Sequence, residues 1–353
     1  MRGRSRAFWI VLGLTALGAV LRFATLGLQA YHHDEIVTAS RVLRVGFGHA
    51  MDAVGFGESA PPLYYALAWF WTQVTGTGEW GLRSLSAFAG VVTIPVAYFA
   101  GRELRGSRTG LVAAALVAVN PMLLWYSQEA RAYSLLVLFC ALSLLFCIRA
   151  LQGGARRDFT WWGVFSALAL ATHYFALFPL AAELVLLLRR RGGAVLSGLW
   201  ILALAALALA PLAYHQMSEG HAEWIGKFSL GHRLAEVAIS FVVGETGDII
   251  GRVEQPEPGL LPLALVLAAV VLLLVRAGRD ERRAASIPLA VGAVAIGVPL
   301  LLVVAVGLTL ARARRAGNAI AALRLAYSFA FCVWASASRK RAYTLCPRLM
   351  GAV

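Results

Sequence analysis

The sequence predicts an all-α polytopic membrane protein with about 9–10 transmembrane helices and a long first outer loop carrying juxtamembrane helices. Three observations lead there. The 353 residues are 60% hydrophobic and only 14% charged, with a mean hydropathy of +0.73; a soluble domain cannot hide that much apolar surface. Apolar runs of span length recur along the chain. The net charge of +14 is almost all arginine, with lysine only at 227 and 340. The arginines cluster in short links between apolar runs, the distribution of loops that face an anionic inner leaflet. No basic face is interleaved with exposed aromatics, which sets nucleic-acid binding aside. Cys140, Cys147, Cys332 and Cys346 show no CxxC or Cys/His metal spacing and read as small apolar core residues.

Arg2, Arg4 and Arg6 precede the run 8–28, which reads as an uncleaved signal anchor with its N-terminus inside. Arg22, in the outer third of that run, is expected to snorkel to the interface or to pair with a lipid phosphate. Residues 29–82 then form the long outer loop. Within it the apolar stretch 61–71 is too short to cross a core of ~30 Å as a helix. Its aromatics suit the headgroup layer, and Pro61 and Pro62 fix its first turn.

Counting that stretch as non-spanning brings the run 84–100 out at Arg102, Arg105 and Arg108 on the inner side; counting it as spanning would put this basic link outside. Runs at 110–125, 134–148, 159–172, 176–188, 193–212, 260–275 and 287–310 follow, and every basic link through Arg283 falls inside. The two runs flanking His173 are short, so they are tilted or the outer surface dips there. Residues 214–259 form a second outer loop, whose His221, Glu223 and Trp224 are candidate acceptor contacts. The pattern breaks at Arg312, Arg314 and Arg315, which parity would place outside. The expected division is a transmembrane domain at 1–310 and an atypical tail at 311–353, with truncation or a shifted frame as its candidate origin.

Sorted by side, the outer face collects Asp34, Glu35, Asp52, Glu58, Glu79, Arg83, Gln128, Glu129, Arg131 and His173. Carboxylates near membrane depth are costly and so point to function. Asp34 and Glu35 stand at a span end, whereas Asp52, Glu58 and Glu79 read as solvated loop charges. Arg83 and Arg131 border the acids and offer the forked geometry that matches phosphate oxygens.

Four motifs come in a characteristic order: Asp34-Glu35 after the first span, Pro61-Pro62-Leu63-Tyr64-Tyr65, Leu82-Arg83-Ser84, and the run from Ser127 to Ser134 (SQEARAYS). Together they resemble the bacterial membrane glycosyltransferases of the GT-C type, similar to protein O-mannosyltransferases and to the transferases that move aminoarabinose onto lipid A. The resemblance covers roughly residues 8–300. It implies transfer of a mannose- or pentose-like sugar from a polyprenyl-phosphate donor to a protein, lipid or glycan acceptor. The reaction would take place at the outer face of a bacterial plasma membrane, with the first acid of the outer loop, Asp34, as general base. The family's His before the two prolines is Ala60 here, so its role is lost or falls to His32 or His33.

The chemistry is coherent on its own terms. A carboxylate takes the acceptor hydroxyl proton, and a lipid phosphate leaves without a general acid, unlike the two-carboxylate glycosidases. Direct attack inverts the anomeric centre. Glu35 is expected to orient Asp34 or a cation, and Arg83, Arg131 and His173 to hold the donor phosphate. Tyr64, Tyr65, Gln128 and Glu129 are expected to shape the pocket, with Glu129 and Arg131 as an ion pair. A divalent cation at Asp34, Glu35 and His33 would have only adjacent ligands, a poor site, so no metal is assigned. The rival classes are a transporter or flippase of a lipid-linked or anionic substrate and an inactive fragment of the glycosyltransferase family. A transporter should carry polar groups and broken helices near the bilayer midplane; the spans here read as apolar at their centres, with the polar groups stacked at one face.

Overall fold

The computed structural model describes residues 2–43 and 46–218, and residues 264–297 in part. The second outer loop beyond Ser218, with His221, Glu223 and Trp224, the greater part of the last two runs, and the tail 311–353 lie outside the described residues. Among the described residues the regular structure is entirely helical.

Each run expected up to residue 212 is a helix. These are α1 (Arg2–Phe23), α5 (Glu79–Arg105), α6 (Ser107–Val119) continued by α7 (Pro121–Ser127), α8 (Tyr133–Gln152), α9 (Arg156–Thr172), α10 (Leu177–Arg191) and α11 (Leu196–Ser218). α1, α5, α8 and the stretch Tyr174–Gln216 are long and apolar enough to cross a membrane, and α6 with α7 adds a fifth span if the bent pair is counted as one. α9, with 17 residues, is short, as the run before His173 foretold. α5 and α8 pack on each other and on α6 and α9, and the main core lies along these contacts, with Trp162, Phe159, Ile148 and Leu82 fully buried.

The long outer loop carries juxtamembrane helices, as expected, and more of them than the single stretch located in the sequence. It holds α2 (His33–Val42) and α3 (Phe47–Gly57) as well as the expected α4 (Leu63–Thr75). α4 begins directly after Pro62, and its 13 residues are too few to span. Its two faces divide by helical spacing: Tyr64, Tyr65, Ala68 and Thr72 are buried, while Leu67, Phe70 and Val74 are exposed. That apolar outer face suits a helix lying in the lipid interface. Ile36, Phe47 and Phe56 are exposed in the same way on α2 and α3. Trp71 Nε1 donates to Ser84 Oγ at 2.8 Å and ties α4 to α5. The turn between them is tight: a Cβ on Gly81 would lie 2.3 Å from the Gly76 carbonyl oxygen.

The run expected at 110–125 is broken. Asn120 and Pro121 interrupt it, and α6 and α7 meet at a bend of 57°. The Asn120 side chain caps α7 by accepting from Leu123 N at 3.0 Å. Such a break at membrane depth is tolerated only where protein satisfies the freed backbone groups, and Arg22 does so. It is wholly buried (0% exposed). Its Nη2 donates to Val117 O (2.9 Å), its Nη1 to Ala118 O (3.0 Å) and Gly18 O (3.1 Å), and its Nε to Ser127 Oγ (3.1 Å). The first two acceptors are carbonyls of the last turn of α6, where the helix dipole favours a cation. Arg22 therefore neither snorkels to the surface nor reaches a lipid phosphate, because it is buried and four of its five N–H donors are engaged inside the bundle.

Gly18 and Gly90 leave room for this side chain; a Cβ on Gly90 would sit 2.1 Å from Ser127 Oγ and 2.8 Å from Arg22 Nε. Arg22→Leu should destabilise the fold by about 3 kcal/mol or more, since a buried acceptor left unmet costs about 1–3 kcal/mol. Gly90→Val should act in the same direction. Thermal unfolding of the detergent-solubilised protein, followed by tryptophan fluorescence, reads both. Wild-type midpoints would remove the structural role of Arg22.

Candidate active site

The site is built at the end of the bundle where α1, α6 and α9 finish and α5 and α8 begin. Asp34 and Glu35 occupy the first turn of α2, where acids meet the positive end of the helix dipole. Adjacent helical residues are about 100° apart around the axis, so the two carboxylates have different neighbours.

Glu35 turns inward and is 1% exposed. Oε1 accepts from Arg83 Nε (2.8 Å) and Ala130 N (2.8 Å), and Oε2 from Arg83 Nη2 (2.6 Å) and its own cap residue, His32 N (2.9 Å). The last bond is half of a capping box, an acid three residues into a helix returning to the backbone that precedes it. Arg83, 3% exposed, also donates to Leu26 O (2.8 Å), Gln29 O (2.7 Å) and Ala30 O (3.1 Å). All five N–H positions of the guanidinium are thus engaged. This revises two expectations. Arg83 has no donor left for a donor phosphate, and Glu35 has no lone pair conveniently left for substrate or a cation; the pair positions α2 against α5. Burial alone would raise the Glu35 carboxyl, but the Arg83 guanidinium and the two amides outweigh it and hold the group below the ordinary carboxylate range.

Asp34 lies beside this lock and is half-buried. Its carbonyl accepts from Thr38 Oγ1 (3.2 Å) and from Arg131 Nη1 (3.4 Å). Arg131 Nη1 also donates to Thr38 Oγ1 at 3.1 Å; the guanidinium feels burial, Tyr65, Tyr133 and Glu58 more strongly than the Asp34 charge. Nε and Nη2 of Arg131 make no hydrogen bond among the described residues. The floor beneath Arg131 is Tyr64 and Tyr65, at 0% and 2% exposed. Both rings are buried, so they shape the pocket from within. Burial pushes both phenols up, so both stay neutral. Tyr65 lies against Glu58, and Glu58 is paired with Arg41 at 2.9 Å. Glu58 is therefore a buried, partnered acid and not the solvated loop charge its sequence context suggested; Asp52 is exposed and Glu79 half-buried.

The turn from Ser127 to Ser134 joins these parts. Ser127 receives Arg22, and Gln128 Nε2 donates to Leu21 O (3.1 Å), Arg22 O (3.3 Å) and Thr25 Oγ1 (2.8 Å). Those bonds close the end of α1 five residues before the apolar run itself ends. Glu129 accepts from Trp125 Nε1 at 2.8 Å and forms no ion pair with Arg131 among the described residues, contrary to expectation. Ala130 supplies its amide to Glu35, and the Arg131 carbonyl accepts from Ser86 Oγ at 3.2 Å. His173 is 9% exposed; its Nδ1 accepts from Phe175 N (3.2 Å), and its ring stacks on Phe175 and leans on Tyr133. The packing of its ring and the backbone bond at Nδ1 make it a wall of the site. His32, the candidate replacement for the family's His, packs near Trp125.

Two polar groups were not anticipated. Gln216, at the end of α11, accepts from Tyr174 Oη (2.9 Å) and donates to Val54 O (3.3 Å) and Ala60 O (3.1 Å), anchoring α3 and the turn before α4. Glu183, in the middle of α10, is 1% exposed and accepts from Ser143 Oγ and from Trp162 Nε1 (2.9 Å); Ser143 also bonds Ser166 (2.9 Å). The bundle is therefore not uniformly apolar at its centre. Its one acid at 176–188 was the available signal, and the serines and tryptophan that receive it are unremarkable in sequence. Among the described residues no group of three His, Cys, Asp or Glu stands together to hold a metal ion.

Residues 59–215 match the family described as dolichyl-phosphate-mannose-protein mannosyltransferase. This supports the class indicated by the sequence motifs, a GT-C type glycosyltransferase of the membrane. The matched segment contains the motifs at 61–65, 82–84 and 127–134 and stops short of Asp34. Among solved structures, the chain is similar to the apo crystal structure of the Archaeoglobus fulgidus oligosaccharyltransferase, with 15% identity, a TM-score of 0.42, 95% of this chain covered and 56% of that one. The chain thus spans little more than half the length of that protein. No curated protein matches it.

Glu35→Ala leaves Arg83 charged and unpaired in the interior and should cost about 3–5 kcal/mol. The double variant Glu35→Leu/Arg83→Met should recover a large part of that loss, as apolar replacements of buried pairs do. A double variant as unstable as the single one would reject the pairing. The pH dependence follows from the lowered carboxyl. Its stabilisation is complete above the unfolded value of about 4.3 and is lost as pH falls through the lower folded value. Unfolding midpoints between pH 7 and 3 should therefore fall in acid more steeply for wild type than for Glu35→Gln; equal slopes would contradict this.

Proposed function

We propose that the protein transfers a sugar from a polyprenyl-phosphate donor to an acceptor hydroxyl, with Asp34 as general base and Arg131 as the phosphate-binding cation. The observation that carries the reading is the approach of Arg131 to Asp34, at whose backbone carbonyl Nη1 donates at 3.4 Å, beside a lock that consumes Glu35 and Arg83. Glu35 and Arg83 are committed to each other, and Asp34 and Arg131 stand beside them as the acid and the cation assigned here to the chemistry.

Asp34 takes the proton of the acceptor hydroxyl as that oxygen bonds to the anomeric carbon. The bond from that carbon to the phosphate oxygen breaks on the opposite side, the configuration inverts, and the polyprenyl phosphate leaves with its new negative charge against Arg131. Asp34 ends the cycle protonated and returns its proton to solvent. Thr38 and the Asp34 carbonyl hold Arg131 in register, and Tyr64 and Tyr65 support it from below. The exposed apolar faces of α2, α3 and α4 suit a site whose donor arrives within the lipid layer. On this reading the site faces the exterior of a bacterial plasma membrane. The acceptor is a protein, lipid or glycan, and the sugar is mannose- or pentose-like.

Transfer of labelled sugar from polyprenyl phosphate by the purified protein tests this. Asp34→Asn should lose about 10²–10⁴-fold in turnover, the usual contribution of a general base. Arg131→Lys, which keeps the charge but loses the planar fork, should raise the KM for donor more than it lowers kcat. Full activity in Asp34→Asn would remove that residue from the mechanism, and a product of retained configuration would reject single displacement.

A further inference from the structure

At the opposite end of the bundle from Asp34, the close of α5, the close of α8 and the start of α9 enclose a groove of about 830 Å³. Glu103, Phe146, Arg149, Gln152, Gly153, Arg157, Asp158 and Trp161 line it. None of these residues belongs to the Asp34 site. We propose that this groove binds the phosphodiester headgroup of an anionic phospholipid from the leaflet opposite Asp34.

The charges in the groove are already partly assigned. Arg149 gives Nε (3.2 Å) and Nη2 (3.1 Å) to Glu103 Oε1, and Gln152 Nε2 donates to Glu103 O at 2.7 Å. Arg149 is thus held rigidly while Nη1 makes no hydrogen bond among the described residues. Its guanidinium also lies 5.4 Å from the Phe146 ring centroid. Asp158 is buried in the first turn of α9, where the helix dipole balances it. Glu103 is met by Arg149 and by Arg102 at 3.9 Å, and Asp158 by its helix, so Arg157, which is exposed, is the groove's arginine without an ion pair among the described residues. Arg191 stands at the margin, donating through Nη2 to Gln152 O at 2.9 Å. Gly153 lines the groove with backbone alone, which lets a ligand come close.

The groove also has an apolar wall that a soluble anion could not use. Phe146, Trp161 and Phe165 stack in succession, with Trp161–Phe165 centroids 5.6 Å apart and Phe146–Phe165 5.5 Å. Trp161 is 48% exposed. The stack starts at the charged groove and continues along α9 toward the middle of the bundle, so a headgroup at Arg157 would lay its acyl chain along the rings. Arginine forks beside aromatic rings at the end of membrane helices are the composition of a headgroup site.

The test is lipid retention in native mass spectrometry of the detergent-purified full chain, which does not depend on transfer activity. Phosphatidylglycerol should be retained by wild type and bound about tenfold more weakly by Arg157→Gln, the expected loss of one charge-assisted bond. Arg108→Gln, an exposed arginine at the same end but outside the groove, should bind as wild type does. Excess inorganic phosphate should leave the lipid in place. Equal retention by Arg157→Gln and wild type, equal loss in both arginine variants, or displacement by phosphate would each overturn the assignment.

Discussion

The buried pair of Glu35 and Arg83 is the constraint on which the outer end of this molecule depends. Removing a carboxylate and a guanidinium from water costs several kcal/mol for each ion, and their attraction repays it only when the remaining lone pairs and protons are also met. Here they are. Four donors reach the two oxygens of Glu35, and five acceptor contacts take the five protons of Arg83. The partners come from the chain after α1, the cap of α2, the start of α5 and the turn before α8. A single pair therefore fixes four segments that are far apart in sequence. Loss of either partner exposes the full desolvation cost of the other, which is why geometry here is specified tightly.

Arg22 solves a related problem deeper in the bundle. The chain breaks a helix at Asn120 and Pro121 and so frees carbonyls where there is no water to receive them. An arginine on a neighbouring helix, given space by Gly18 and Gly90, supplies the missing donors. The break in turn lets α7 run at an angle, and α7 delivers the Ser127–Ser134 turn to Glu35 and α2. Both buried arginines thus act through carbonyl oxygens, and both are needed before Asp34 has a defined position.

Much of this organisation was legible in the sequence, and the limits have physical causes. The apolar runs and basic links placed α1 and each helix from α5 through α11, because burial in lipid imposes long, unambiguous patterns. The short length of 61–71 was enough to read α4 as non-spanning. The nearby acids of the link around 276–283 come to Arg105, with Glu281 at 3.7 Å and Asp280 at 4.0 Å. These are two links the charge pattern had placed on one side. Juxtamembrane helices were expected in the outer loop, but α2 and α3 were not located: each is only 10 or 11 residues long, and exposed Ile36, Phe47 and Phe56 mix with exposed Ser40, His49 and Asp52, which blurs the helical pattern. The arginines were misassigned for another reason. A sequence shows that a guanidinium is present but not how many of its protons are already taken, and only the positions of Leu26, Gln29, Ala30 and Glu35 reveal that Arg83 has none to offer. The same limit hid Glu183, whose partners lie on two other helices.

The division of labour between the two adjacent acids follows from helical geometry. If both carboxylates faced inward, the single positive charge of Arg83 would have to balance two negatives in a dry interior, and one acid would be driven neutral. If both faced outward, α2 would lose the two hydrogen bonds by which Glu35 joins its first turn to Arg83 of α5. A rotation of about 100° per residue resolves the conflict: Glu35 spends its charge on anchoring, and Asp34, carried on the same rigid turn, keeps its position without sharing that cation. The anchored acid thus sets the precision of the neighbour. A reacting carboxylate has to stand within hydrogen-bond reach of a proton held by a separate molecule, and a loop end without the lock would not hold it there.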